Sequence, residues 1–145
     1  MNQVDLLIRG ARVVSDHQII EASVAIDGEK IVAVGRDELM PSAREVVQAD
    51  GLYLLPGAID SHVHFRDPGY AHKETWKTGS AAAACGGVTT VFDMPNTNPP
   101  TTDADALADK LNRARGRAWT DHAFFAGATP ENTDILAELE REPGC

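Results

Sequence analysis

His62 and His64 stand two apart in the segment Asp60-Ser61-His62-Val63-His64-Phe65-Arg66-Asp67-Pro68-Gly69. In an extended strand, residues two apart project to the same side, so this segment presents two imidazoles in one direction. Neutral imidazoles on a common face suit zinc or a similar divalent ion, with further ligands arriving from other strands. An isolated H-x-H also occurs as a hydrogen-bonded pair in a core. Its place at the end of an apolar strand, just before a Gly/Pro loop, favours the ligand reading. Arg66 follows two residues after His64 and points toward the same mouth. Its planar fork of donors matches a carboxylate in bidentate fashion, although a single Arg is more often a surface or ion-pair residue. Asn96 lies in Met94-Pro95-Asn96-Thr97-Asn98-Pro99-Pro100, the loop after the next apolar strand. Loop asparagines commonly serve turns, a role that fits Asn98 more easily than Asn96. Two donors beside a metal would hold an anionic substrate.

The elements that must position these residues change character along the chain. Asp5–Arg9, Ala11–Val14, Ala22–Ile26, Lys30–Val34, Val46-Val47 and Leu52–Leu55 read as short strands, with a hairpin signal at Asp27-Gly28. Brief strands in this density predict a small β-sandwich subdomain over residues 1–55. From 56 onward strands alternate with helices. A buried strand Ala58–His64 is expected before a helix near Lys73–Cys85, which Gly86-Gly87 would end. Val88–Met94 reads as a buried parallel strand. The next helix is given Thr102 as N-cap and Ala104, Leu107, Ala108, Leu111 and Ala114 as its apolar face. Trp119–Ala126 reads as a third strand, and Thr129-Pro130 as the opening of a helix with Ile135, Leu136 and Leu139 inward. Alternation of this kind predicts βα units around a parallel sheet. The expected architecture is therefore α/β. The expectation is the N-terminal part of a metal-dependent (β/α)8 TIM barrel, with the first three βα units in residues 56–145, preceded by the β-sandwich subdomain. A small open sheet is the alternative that the pattern leaves. A complete barrel takes about 250 residues.

Composition sets the outer bounds. The 145 residues are 43% hydrophobic and 24% charged, the balance of a globular chain. Acidic side chains outnumber basic ones 22 to 13, for a net charge of −9, and no Lys/Arg cluster stands out, which argues against a nucleic-acid partner. No long apolar run marks a membrane span, and the expected location is cytoplasmic. Cys85 and Cys145 lack metal-site or redox spacing and read as reduced thiols, Cys85 as a small core residue among alanines. His17 and His72 read as exposed loop residues, His122 and Trp119 as packing residues of a strand. Asp93, at a strand's end, either supports a metal ligand from behind or is structural.

Taken together, Pro56–Gly69, Lys73-Glu74-Thr75, Gly86-Gly87-Val88-Thr89-Thr90 and Met94–Pro99 resemble the dihydroorotases of the amidohydrolase superfamily. The resemblance runs from about residue 4 to the end. It implies that His62 and His64 bind the more buried of one or two divalent ions, zinc above all, and that Arg66 and Asn96 grip the substrate carboxylate. It also implies that a bridging carbamylated Lys (or an Asp), two more metal-binding His and the Asp general base lie beyond residue 145, so that the segment by itself is inactive. The implied reaction is reversible hydrolysis of dihydroorotate to N-carbamoyl-L-aspartate in pyrimidine synthesis, by a homodimer that in some relatives partners aspartate transcarbamoylase. Allantoinases and hydantoinases share the H-x-H and the Gly-Gly-Val-Thr-Thr block but usually lack the Arg. A non-catalytic dihydroorotase-like scaffold that binds aspartate transcarbamoylase is the alternative from another class. Asp67, where many relatives carry Glu, reads as a tolerated exchange.

Overall fold

The structure, a computed structural model, describes residues 3–145 and divides into two compact units, one ending at Pro56 and the other beginning at Gly57. The first unit is built on β1 (Val4–Val14), an eleven-residue strand. β2 (Ile19–Asp27) pairs with it antiparallel, and β3 (Lys30–Gly35) returns antiparallel to β2 through the Asp27-Gly28 hairpin. β4 (Ala43–Gln48) and the short β5 (Tyr53–Leu54) both run parallel to β1, giving a five-stranded sheet among the described residues. The two separate strands expected over Asp5–Val14 are one. Gly10, at φ +67, lets the strand pass an irregularity between Ile8 and Ala11 without ending. Val4, Leu7 and Ala25 form a small buried cluster, with Met40 packed against them.

The second unit is a parallel three-stranded sheet with helices as crossovers. β6 (Ala58–Val63) leads to α1 (Trp76–Cys85), then β7 (Val88–Asp93), α2 (Ala104–Ala114) and β8 (Asp121–Phe124). Thr75 caps α1: its hydroxyl accepts from Thr78 N–H, while the Thr78 hydroxyl accepts from Thr75 N–H. The core lies between helices and sheet. Trp76 is fully buried, with Phe65 and Phe124 meeting its ring edge-on at centroid distances of 4.9 and 5.2 Å. Such pairs contribute about 0.5–1.5 kcal/mol each beyond their buried area. Val91, Leu107 and Ala114 close the cluster.

Several local expectations are corrected. α2 is capped by Asp103, whose carboxylate accepts from Ala106 N–H at 2.8 Å, and not by Thr102. Ala104 and Ala108 of its expected apolar face are exposed, and Lys110 is buried in that stripe instead. The helix expected from Thr129-Pro130 is a run of turns, with only Leu136–Leu139 (α3) helical. There the Asn132 carboxamide accepts from Thr129 N–H at 2.7 Å, a local side-chain bond that competes with the helix. The third strand is shorter than expected. Trp119 precedes it and is 68% exposed, whereas His122 does pack, against Trp76 and Phe124. Cys85 is exposed, not a core residue. β6 is not buried over most of its length. Ile59 is 66% exposed because, among the described residues, β6 pairs only with β7 and nothing covers that side.

Candidate functional site

The candidate residues gather where β6 and β7 end, on the side of a parallel sheet at which α/β folds place their chemistry. His62 lies on β6 and His64 one residue past its end. Their Nε2 atoms converge to 3.2 Å. A tetrahedral zinc holding two imidazole nitrogens at about 2.0–2.1 Å keeps them roughly 3.3 Å apart, so this pair fits two positions of one ion. Among the described residues no third His, Cys, Asp or Glu joins them.

The other ring nitrogen of His64 has a partner. Nδ1 and the Asn96 side-chain oxygen are 2.8 Å apart. With Nδ1–H donating to that oxygen, Nε2 keeps its lone pair on the side facing His62, the tautomer that metal ligation requires. Asn96, expected only as a substrate donor, is thus also the orienting partner of His64, and its NH2 group remains to donate outward. Arg66 is exposed on the following loop and no hydrogen bond joins it to the histidines or Asn96. Sequence reasoning brought four residues to one place. Three are linked directly in the structure, and the fourth is set beside His64 by the chain alone.

What holds the strand ends is a buried network centred on Asp93. Its Oδ1 accepts from the backbone N–H of Phe65, the residue after His64, at 2.8 Å. Its Oδ2 accepts from Lys110 Nζ at 2.6 Å, and the same ammonium donates to the Met94 carbonyl at 2.8 Å. The backbone carbonyl of Asp93 accepts from Phe125 N–H, and Met94 N–H donates to the Val63 carbonyl. One residue thereby ties β6, β7 and the end of β8 together. Asp93 and Lys110 are both without exposed surface. Burial pushes the Asp93 carboxyl above its usual range, opposed by the bond from Lys110, and burial likewise pushes Lys110 below its usual range. Lys110 escaped the sequence reading. The available signal was a charge at the centre of the stripe Leu107, Lys110, Leu111, Ala114, where a Lys requires a buried partner.

Asp67 is also more than a tolerated exchange. It is 5% exposed, and its carboxylate accepts from Arg113 Nη1 at 3.0 Å. His17 and His72 are exposed loop residues, the former beside Asp16.

Comparison with known proteins identifies the family of the chain. The Amidohydrolase family profile matches residues 53–142. The chain is 42% identical over 137 residues to a dihydroorotase of Methanosarcina acetivorans, covering 94% of this chain and 29% of that protein. It is 39% identical to an allantoinase of Escherichia coli over 137 residues, 94% of this chain and 30% of the relative. Among solved structures, an L-hydantoinase (dihydropyrimidinase) from Arthrobacter aurescens superposes with a TM-score of 0.88 at 31% identity, over 95% of this chain and 31% of that one. A dihydropyrimidinase from Brevibacillus agri gives 0.78 at 39% identity, over 92% and 29%. The chain thus spans less than a third of the length of these relatives. With a profile match across most of the chain and the paired histidines at the strand end that it contains, this chain belongs to the amidohydrolase family.

Proposed function

We propose that this chain supplies the first metal ligands and the substrate anchor of a cyclic-amide hydrolase, and that the ring it opens is dihydroorotate. The observation that carries the reading is the convergence of His62 and His64 Nε2 at 3.2 Å, with Asn96 bonded to His64 and Arg66 on the next loop. His62 and His64 would hold a divalent ion, zinc by preference for imidazole. Such an ion, when bound, lowers the pKa of a coordinated water to about 7 and polarises the amide carbonyl. Asn96 keeps the His64 ring in its ligating tautomer and orientation. Arg66 and the Asn96 NH2 group bind the ring's carboxylate, so that the amide carbon is presented to the ion and not turned away. Relatives named as dihydroorotase, allantoinase and hydantoinase stand at similar identity. The choice among them rests on Arg66 and Asn96, because only a substrate with a carboxylate uses that pair.

The rest of the reading concerns the whole protein. The remaining ligands and the general base are assigned to strands beyond residue 145, in a (β/α)8 barrel that β6, β7 and β8 begin, with β1–β5 contributing one sheet of a sandwich. A homodimer is the expected assembly, with aspartate transcarbamoylase as a possible partner enzyme. The two exposed, unpaired thiols are in keeping with a reducing cytoplasm, and no helix among the described residues is long and apolar enough to cross a membrane. A scaffold that binds a partner enzyme without catalysis is the competing reading.

The test uses the longest native chain carrying these residues, loaded with zinc, and compares hydrolysis of dihydroorotate, allantoin and hydantoin. Turnover of dihydroorotate above the other two is the expected result. Arg66→Ala should then raise KM for dihydroorotate by about 100-fold while metal content stays at the wild-type level, the loss of a charged bidentate contact being worth roughly 2–3 kcal/mol. Turnover confined to allantoin or hydantoin would overturn the substrate assignment. No turnover by a metal-loaded protein would favour the scaffold.

A further inference from the structure

Arg66 sits on a loop that is gripped from behind by two helices. Asp67, its neighbour, turns inward and binds Arg113 on the last turn of α2. Arg113 in turn donates Nε to Asp109 at 2.7 Å, so its guanidinium is held from both sides. The backbone carbonyl of Asp67 accepts from the Trp76 indole N–H at 3.2 Å, and Trp76 is the fully buried first residue of α1. The loop closes on itself through Tyr70 N–H to the Arg66 carbonyl at 2.8 Å. Residue 67 is therefore fixed at its side chain and its carbonyl by two different helices, while residue 66 is left exposed with a fixed backbone and a free side chain. An Arg that grips a ligand loses less freedom on binding when its backbone is already held.

We infer that Arg113, acting through Asp67, is a positioning residue for Arg66 and thereby sets the preference for ring substrates that carry a carboxylate. The inference rests on the reading of Arg66 as the carboxylate anchor. Without the Arg113 bond, the inward-facing Asp67 carboxylate loses its cation and shifts toward water, carrying residue 66 with it. A displacement of about 1 Å at a positioning group costs up to ~100-fold. The effect belongs to the carboxylate alone, because a neutral ring makes no use of Arg66.

The experiment takes Arg113→Gln and Arg113→Lys, each with and without Arg66→Ala, in the same zinc-loaded native chain. Dihydroorotate is the carboxylate-bearing ring, and hydantoin, as substrate or competitive inhibitor, is the neutral one. Arg113→Gln should raise KM for dihydroorotate roughly 10-fold or more, with kcat changed less than about 3-fold. It should leave the hydantoin constant and the metal content unchanged, and Arg113→Lys should recover part of the loss. In the Arg66→Ala background, Arg113→Gln should add nothing, as two groups acting through one contact are non-additive. Equal losses on both rings, an unchanged KM, or full additivity with Arg66→Ala would overturn the inference and make Arg113 a structural residue only. If Arg66→Ala alone leaves KM unchanged, the anchor reading itself fails, which the single variant shows independently of any change at position 113.

Discussion

At the scale of single residues, the buried pair of Lys110 and Asp93 governs how well the strand ends are held. Removing one member leaves the other charged and dry. Lys110→Met should therefore lower stability by about 3–5 kcal/mol in denaturant titrations. Asp93→Asn/Lys110→Met should recover most of that, because the Asn side-chain oxygen still accepts from Phe65 N–H and neither residue carries charge. A double variant no more stable than Lys110→Met would show that the pair contributes through more than mutual neutralisation. The pH dependence has a definite sign. Burial raises the Asp93 pKa, so the folded state holds that proton longer, and the contribution of this group falls as pH climbs through and above the usual carboxylate range. Lys110 shifts downward, so its contribution is full only above the usual Lys range and is lost as pH falls through the lowered value. Relative to wild type, the double variant should thus gain stability as pH rises from about 4 toward neutrality. His62, His64, Arg66 and Asn96 were legible in the sequence because strand alternation and the βα grammar place them at one end of a sheet. Arg113 was not, because it is an ordinary helix residue until Asp67 on the loop after β6 is known as its partner. Lys110 showed only as a charge in an apolar stripe, its partner Asp93 lying at the end of β7.

At the scale of elements, the loops after β6 and β7 touch backbone to backbone. Gly69 stands at φ +94, and a Cβ there would lie 2.5 Å from the Asn98 carbonyl oxygen. Gly69→Ala therefore combines an unfavourable backbone region with a clash against main chain that cannot rotate away. A loss of about 2–4 kcal/mol is expected in the same titrations. A variant as stable as wild type would mean that the two loops part easily. The order of the elements was legible from hydrophobic periodicity, and their ends were less so. Thr102 and Asp103 are adjacent cap-type residues, and only the Asp103 bond to Ala106 N–H decides between them. The turns after Thr129 escaped for a related reason. Pro130 is compatible with a first helical turn, but Asn132 satisfies Thr129 N–H and the Thr102 and Gly127 carbonyls, which favours a folded loop over a helix.

At the scale of the whole molecule, each unit displays apolar surface that its own residues do not cover. In the second unit β6 is an edge among the described residues, and Ile59 on it is largely exposed. Unpaired strand edges with apolar side chains recruit further strands. The 145-residue chain taken alone should therefore associate as its concentration rises, and Ile59→Lys should reduce that in sedimentation velocity. A wild-type chain that stays monomeric at high concentration would show the edge to be harmless. Composition and alternation announced an α/β chain, and three βα units are too few to close a barrel. An uncovered sheet edge was therefore legible, although β6 itself reads as a buried strand. An apolar strand looks the same in sequence whether its neighbour is present or not.

β1 is bonded along both edges, to β2 on one side and to β4 and then β5 on the other, with the exchange of partners at Gly10. Its amide hydrogens alternate between the two edges, so each is released only when the strand on its own side leaves. β3, at the rim, can open singly. Deuterium uptake in the first unit should accordingly be graded, fastest in β3 and slowest through Leu6–Ile8, where β1 is paired on both edges. A long strand with a single glycine irregularity in it is thus the shared neighbour of β2, β4 and β5, and the sheet opens from its rim inward.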